Sequence, residues 1–149
     1  MRRALIVLCA LILNAALLER AWAAQACAWI VESVEPDGAH MFGLNLSVDA
    51  PTSVAVRFKG PGFTSASMGG EMIQLDPGAP KEVDAEGFDV SAGDDIAFDV
   101  QLFDHPLASL DEMDNPTGKP LAAFAFHPKV GQDDRASPAG LAKQCKPLR

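Results

Sequence analysis

The chain has 149 residues and carries 20 acidic residues against 12 basic ones, giving a formal net charge of −8. This length suits one domain with a core of its own. The acidic balance argues against nucleic-acid binding, which needs a basic surface, and against electrostatic attachment to an anionic membrane. It fits either a solvated surface or an acidic surface that meets a cationic protein partner.

The first segment, residues 1–23, has the three parts of a secretory signal peptide. Two arginines follow Met1, an apolar run extends from Ala4 to Leu18, and Ala21-Trp22-Ala23 places small residues where a signal peptidase reads them. The apolar run is too short to span a bilayer comfortably, and no later run is long enough. We therefore expect a secreted or periplasmic protein whose mature chain begins at Ala24 and has no transmembrane segment. The composition is typical of a bacterial protein.

Two cysteines remain after removal of this segment, Cys27 and Cys145. In an oxidising compartment they are expected to form one disulfide. The disulfide would close nearly the whole chain into a loop, which the chain-entropy model values at about 4 to 5 kcal/mol. Lipidation of Cys27 after a second cleavage site is the competing interpretation, although Ala24-Gln25-Ala26 lacks the leucine that usually precedes a lipidated cysteine. There is no C-x-x-C pair to indicate a thioredoxin-like redox function.

Short segments of alternating apolar and polar residues follow one another through the body of the chain, separated by turn signals such as Glu35-Pro36-Asp37-Gly38. Such alternation is the pattern of a β-strand with one buried face. It is clearest where Ile96, Phe98, Val100 and Leu102 share one side of the backbone. The predicted segments are Ala28 to Val34, Met41 to Asp49, Val54 to Lys59, Phe63 to Met68, Met72 to Leu75, Lys81 to Asp84, Phe88 to Val90, Ile96 to Phe103 and Leu121 to Phe126.

These segments predict an all-β domain over residues 24–130, an antiparallel two-sheet β-sandwich that is immunoglobulin-like in the broad sense. Seven or eight of these nine segments are expected to form strands, and the charge-flanked pieces from Lys81 to Val90 are expected at exposed edges. A small β-barrel is the alternative. No helix is predicted inside this domain. In the basic tail, residues 131–149, Ser137-Pro138 is typical of a helix start, and a short helical turn there would carry Cys145 back to Cys27.

The motifs of several common enzyme classes are absent. No serine has the G-x-S-x-G setting of a nucleophile elbow, and there is no phosphate loop or dinucleotide fingerprint. The three histidines, His40, His105 and His127, are scattered and form no H-E-x-x-H motif. We therefore expect a non-catalytic binding or scaffolding module that carries no cofactor.

A periplasmic metal-binding protein is the alternative function. Imidazole and thioether groups are the ligands that extracytoplasmic copper carriers use. The chain offers seven such donors, namely His40, Met41, Met68, Met72, His105, Met113 and His127. Calcium accepts clustered oxygen ligands. Three clusters offer them, namely Asp84 with Glu86 and Asp89, Asp94 with Asp95, and Asp111 with Asp114 and Asn115.

The long connection from Asp104 to Pro120 is the most promising binding segment. Connections longer than about 12 to 15 residues in a compact domain are often functional, and binding sites commonly lie on loops at the end of a scaffold. Its apolar residues could either pack onto the sandwich or form an exposed contact surface for a partner. The candidate partner-binding residues are Asp104, His105, Leu107, Leu110, Asp111, Met113 and Asp114.

Overall fold

A computed structural model of the chain describes residues 23–131 and 143–149. Nine strands lie in these two ranges, together with one 3-10 turn, Ser67–Gly70, and one short helix, α1, Leu110–Asp114. The strands are β1 Gln25–Val34, β2 His40–Val48, β3 Thr52–Gly60, β4 Phe63–Ala66, β5 Ile73–Leu75, β6 Lys81–Phe88, β7 Phe98–Phe103, β8 Ala122–Phe126 and β9 Gln144–Pro147. Among the described residues, no helix has both the length and the apolar character needed to cross a membrane.

The strands form two antiparallel sheets. The first sheet has the order β6-β2-β1-β9, and the second has the order β4-β3-β7-β8, with β5 paired to the first residues of β3 beside β4. Neither sheet closes into a barrel within the described residues. The predicted all-β class and two-sheet sandwich are therefore confirmed, and the barrel alternative is not.

The core lies between the two sheets and is formed by the inward-facing residues of the alternating strands. Leu46, Val56 and Phe124 belong to one buried cluster, as their shared pattern predicts. Phe98 stands at its centre, with its ring centroid 5.3 Å from that of Phe42 in the first sheet and 5.2 Å from that of Phe58 in the second. Because aromatic contacts of this kind span the two sheets, β7 is a central element of the sandwich.

Two predicted strands have different bounds in the structure. The two pieces between Lys81 and Val90 form one continuous edge strand, β6, which ends at Phe88. Its glycine, Gly87, lies opposite Met41, where an added Cβ would be 2.8 Å from the methionine sulfur, so the glycine allows close approach rather than a break. The strand β7 begins at Phe98 rather than at Ile96, although Ile96 is buried.

The C-terminal residues add a strand that the sequence pattern does not predict. β9 pairs with the first residues of β1, and this register places Cys145 directly opposite Cys27, with the two sulfurs 2.05 Å apart. The structure thus pairs the two cysteines as predicted. The predicted helical turn from Ser137 falls on residues 137–142, which lie outside the described residues, as does nearly all of the predicted signal segment.

Candidate functional site

The connection between β7 and β8 lies over the outer face of the second sheet. Leu107 is fully buried there against Ala55 and Phe103, which are neighbours on β3 and β7, and Met113 packs at the edge of this small second core. Two of the predicted partner-binding residues, Leu107 and Met113, therefore serve to attach the loop to the sandwich. The apolar residues of the loop could either pack onto the sandwich or form an exposed contact surface, and Leu107 and Met113 pack onto the sandwich.

A second attachment joins the loop to the 3-10 turn. The backbone N–H of Leu107 donates to the carbonyl oxygen of Gly70 at 2.8 Å. Gly70 has a φ of +87°, and a Cβ added to it would lie 2.1 Å from the carbonyl oxygen of Leu107. Only glycine meets both requirements, a left-handed backbone and this close approach.

The prediction that the domain contains no helix is wrong, because α1 lies inside it. This helix is short but capped at its start. Ser109 is the N-cap residue, and its hydroxyl accepts a hydrogen bond from the backbone N–H of Glu112 at 3.1 Å. The carboxylate of Glu112 reaches back and accepts from the N–H of Ala108 at 2.9 Å. This reciprocal arrangement resembles the capping box, in which Ser and Glu stand three residues apart. It satisfies backbone donors that a helix of this length would otherwise leave free.

The end of α1 is held by Arg57, an outward-facing residue of β3. Its guanidinium donates to the carbonyl oxygen of Met113, to that of Asp114 at 3.2 Å, and to the side-chain oxygen of Gln101 at 3.1 Å. Arg57 is only 7% exposed because the loop covers it. A buried cation thus binds the carbonyl end of the helix, where positive charge is favourable.

The attached loop presents an acidic outer surface. Leu110 is 79% exposed on the first turn of α1, and Asp111 and Asp114 beside it are exposed. Asp104 is also exposed and lies 2.8 Å from the Nδ1 atom of His105. The hydrogen bond from the His105 imidazole lowers the pKa of Asp104, which keeps this carboxylate charged. We call Leu110, Asp111 and Asp114, which lie together on α1, the acidic face.

The loop residues predicted to bind calcium, Asp111, Asp114 and Asn115, are not arranged as a recognisable metal site. Asp111 and Asn115 are joined through their backbones, since the N–H of Asn115 donates to the carbonyl of Asp111 at 2.7 Å. The carbonyl of Asp114 is taken by Arg57. In the described part of the chain, no three His, Cys, Asp or Glu residues are grouped so that they could hold a metal ion.

The predicted copper donors are mostly dispersed. Among them, Met68 and Met72 line one groove between β5 and β6. Met72 also packs with Met113 against the small second core, and the ring centroid of His105 lies 5.5 Å from that of Phe103 in the same core. By contrast, His127 follows β8, and His40 and Met41 lie on β2. The copper interpretation therefore keeps the thioethers of Met68 and Met72, which share a groove, as its main ligands.

A buried carboxylate that the sequence does not single out lies at the end of the core. Glu32 on β1 accepts from the Nδ1 atom of His40 at 2.5 Å and from the backbone N–H of Gly131 at 3.2 and 3.3 Å. Its side chain is 4% exposed. This contact joins β1, β2 and the segment after β8, so Glu32 secures one end of the sandwich.

Sequence reasoning also misses Arg57, Ser109 and Glu112, the residues that hold α1. The Ser-x-x-Glu spacing from Ser109 to Glu112 is a detectable signal for a helix start. No local signal marks Arg57, because alternation places it outward with Lys59 and only the distant loop buries it. The chain matches no family model, no curated protein and no solved structure.

Proposed function

We propose that the protein is a non-catalytic binding module that presents the acidic face of its 104–120 loop to a cationic surface on a partner protein. The observation that carries this proposal is the attachment of α1 by Arg57 and by the capping residues, which leaves Leu110 exposed among carboxylates. Protein interfaces commonly place apolar contacts inside a polar rim.

The charge pattern supports a cationic partner. The loop contains Asp104, Asp111, Glu112 and Asp114 against one lysine, Lys119, and the whole chain carries −8. A field of one sign increases the rate of encounter with an oppositely charged surface and disfavours wrong partners. The buried anchors Leu107 and Arg57 hold the loop before binding, which reduces the entropy lost when a complex forms.

Capture from the native source tests this proposal. The oxidised protein is immobilised, and bound proteins are compared with those captured by the Leu110→Ser/Asp111→Asn/Asp114→Asn variant. The expected result is a partner with a basic surface that wild type retains and the variant loses, with retention that weakens as salt rises.

The matched control makes comparable changes elsewhere, as Val34→Ser/Asp76→Asn/Asp89→Asn. Val34 is 61% exposed, and both aspartates are exposed. The control is expected to retain the partner. Equal loss in both variants, or a partner that survives the loop substitutions, would refute the assignment of binding to the acidic face.

We also propose that the protein works outside the cytoplasm, in a secreted or periplasmic location. The signal-like segment before Ala24 supports this, and the paired cysteines are compatible with an oxidising compartment. N-terminal sequencing of the protein from extracytoplasmic material is expected to start at Ala24. A first residue of Met1, or two free thiols by mass measurement, would contradict the proposal.

A soft-metal carrier is the second candidate function, and it draws on the shared groove of Met68 and Met72. Thioether sulfurs favour Cu(I). To test it, wild type and the Met68→Leu/Met72→Leu variant are incubated with a Cu(I) complex, and the copper bound to each protein is measured. Stoichiometric copper that the variant fails to bind supports the carrier, and background copper in wild type removes it.

A further inference from the structure

A groove at the meeting of β8 and β9 collects positive charge on this acidic protein. It has a volume of about 380 Å³ and is lined by the cations Lys119, Lys146 and Arg149. The remaining lining is mainly apolar and includes Pro120, Leu121 and Ala122. Lys119 comes from the end of the 104–120 loop, whereas Lys146 and Arg149 come from β9 and the residues after it.

No described carboxylate forms an ion pair with Lys119, Lys146 or Arg149. The ammonium of Lys146 donates to the carbonyl of Ala123 and lies 5.4 Å from the ring centroid of Phe124. An ammonium has three donors, so this contact positions Lys146 at the groove and leaves donors for a ligand.

Several contacts fix the position of the groove wall. The N–H of Arg149 donates to the carbonyl of Leu121 at 3.0 Å, and the side chain of Gln144 donates to the carbonyl of Ala125 at 2.5 Å. The disulfide from Cys27 to Cys145 ties β9 to β1, and Cys145 is the residue directly before Lys146. Lys146 and Arg149 are therefore held beside β8 by hydrogen bonds rather than on a free tail.

We propose that this groove binds a small amphiphilic anion, whose carboxylate or phosphate headgroup meets Lys146 and Arg149 and whose short apolar body lies along Leu121 and Ala122. The volume falls within the range of about 300 to 1,000 Å³ that is usual for small-molecule sites. The apolar lining favours an organic anion over a bare inorganic one. A long acidic peptide is disfavoured, because its further carboxylates would be repelled by a protein with a net charge of −8.

Titration of the oxidised protein with octanoate and with octyl phosphate tests the proposal. Calorimetry gives the affinity, and backbone amide NMR shifts at Ala123, Lys146 and Arg149 locate the site. Both probes are expected to bind saturably at the groove, and the tighter one identifies the preferred headgroup. Octyltrimethylammonium, acetate and inorganic phosphate are expected to bind at least about tenfold more weakly, because each lacks the charge or the apolar body.

The Lys146→Gln/Arg149→Gln variant is expected to lose about tenfold in affinity for either anion, as for the loss of two exposed ion pairs. The matched control, Lys59→Gln/Lys81→Gln, removes two exposed lysines that do not line the groove and is expected to bind as wild type does. Unchanged binding by the groove variant, or equal binding of the cationic probe, would overturn the proposal. If a peptide of six glutamates shifts these amide NMR signals and neither octyl anion does, the proposal is overturned in favour of an acidic protein segment as the ligand.

Discussion

Replacement of Arg57 by leucine is the sharpest test of how the loop is held. The change removes three hydrogen bonds from the guanidinium and leaves the carbonyls of Met113 and Asp114 without their donor. Leucine keeps part of the packing of the arginine stem against the sheet. The variant is expected to fold, because the main core between the two sheets does not include this side chain.

The size of the effect follows from the burial of Arg57. Each hydrogen bond to a charged group is worth about 1.5 to 3 kcal/mol, and breaking a buried charged contact from one side costs about 3 to 5 kcal/mol. Water can reach the loop once it loosens, which satisfies the freed carbonyls. We therefore expect the free energy of unfolding to fall by about 2 to 4 kcal/mol, a large part of the 5 to 15 kcal/mol that is typical of single domains.

Urea unfolding and amide hydrogen exchange measure the two parts of this prediction. Exchange of the Asn115 amide, which donates to Asp111 inside α1, is expected to accelerate by at least about thirtyfold, equivalent to about 2 kcal/mol. Lys59→Leu is the matched control, since Lys59 is exposed on the same face of β3, and it is expected to change stability by less than about 0.5 kcal/mol. A loss below about 1 kcal/mol for Arg57→Leu, or an equal loss for the control, would refute the anchoring argument.

Three further predictions concern the core, the turn and the response to acid. Phe98→Ala is expected to lower the free energy of unfolding by about 3 to 5 kcal/mol, because Phe98 is 1% exposed, and a loss below about 1 kcal/mol would contradict its central position. Gly70→Ala is expected to destabilise more than Gly62→Ala in urea unfolding, because both have positive φ but only Gly70 has backbone within 4 Å of an added Cβ; equal losses would contradict the close approach. The pKa of Asp104 is lowered by His105, so its stabilising contribution is present above the unfolded pKa of about 4 and lost as pH falls through the folded pKa. The stability difference between wild type and Asp104→Asn should therefore shrink as pH falls below about 4, whereas a difference that persists there would contradict the hydrogen bond.

Local alternation accounts for most of the fold. The period of two places Phe42, Leu46, Val56 and Phe98 on inward faces, and these faces meet in one core. Charge and a glycine break the pattern in β6, where pairing with β2 overrides a weak local signal. Pairing of this kind depends on the neighbouring strand, which the local sequence does not specify.

The candidate site is less predictable because its decisive contacts are distant in sequence. The length and acidity of the 104–120 connection are the basis for predicting a binding segment there, whereas its Ser-x-x-Glu spacing is a helix-start signal that the prediction of a helix-free domain overlooks. The burial of Arg57 depends on residues 56 and 57 positions away, and the contact from Gly131 to Glu32 spans 99 positions. The strand β9 likewise depends on a distant partner, because it pairs with β1 where Cys145 lies opposite Cys27. Its four residues, Gln144–Pro147, carry no strand pattern of their own.

The use of a buried arginine beneath α1 bears on why the loop is there. Leu107 and Met113 already cover the apolar patch formed by Ala55 and Phe103 on the sheet. Burying a charge carries a desolvation cost that an apolar residue would not, whereas its hydrogen bonds allow one arrangement of its partners. Arg57 binds the last carbonyls of α1 and so fixes the direction of the helix, which decides that Leu110 and its neighbouring carboxylates face solvent. The cost of burying this cation is therefore better explained by the orientation of the acidic face than by coverage of the sheet.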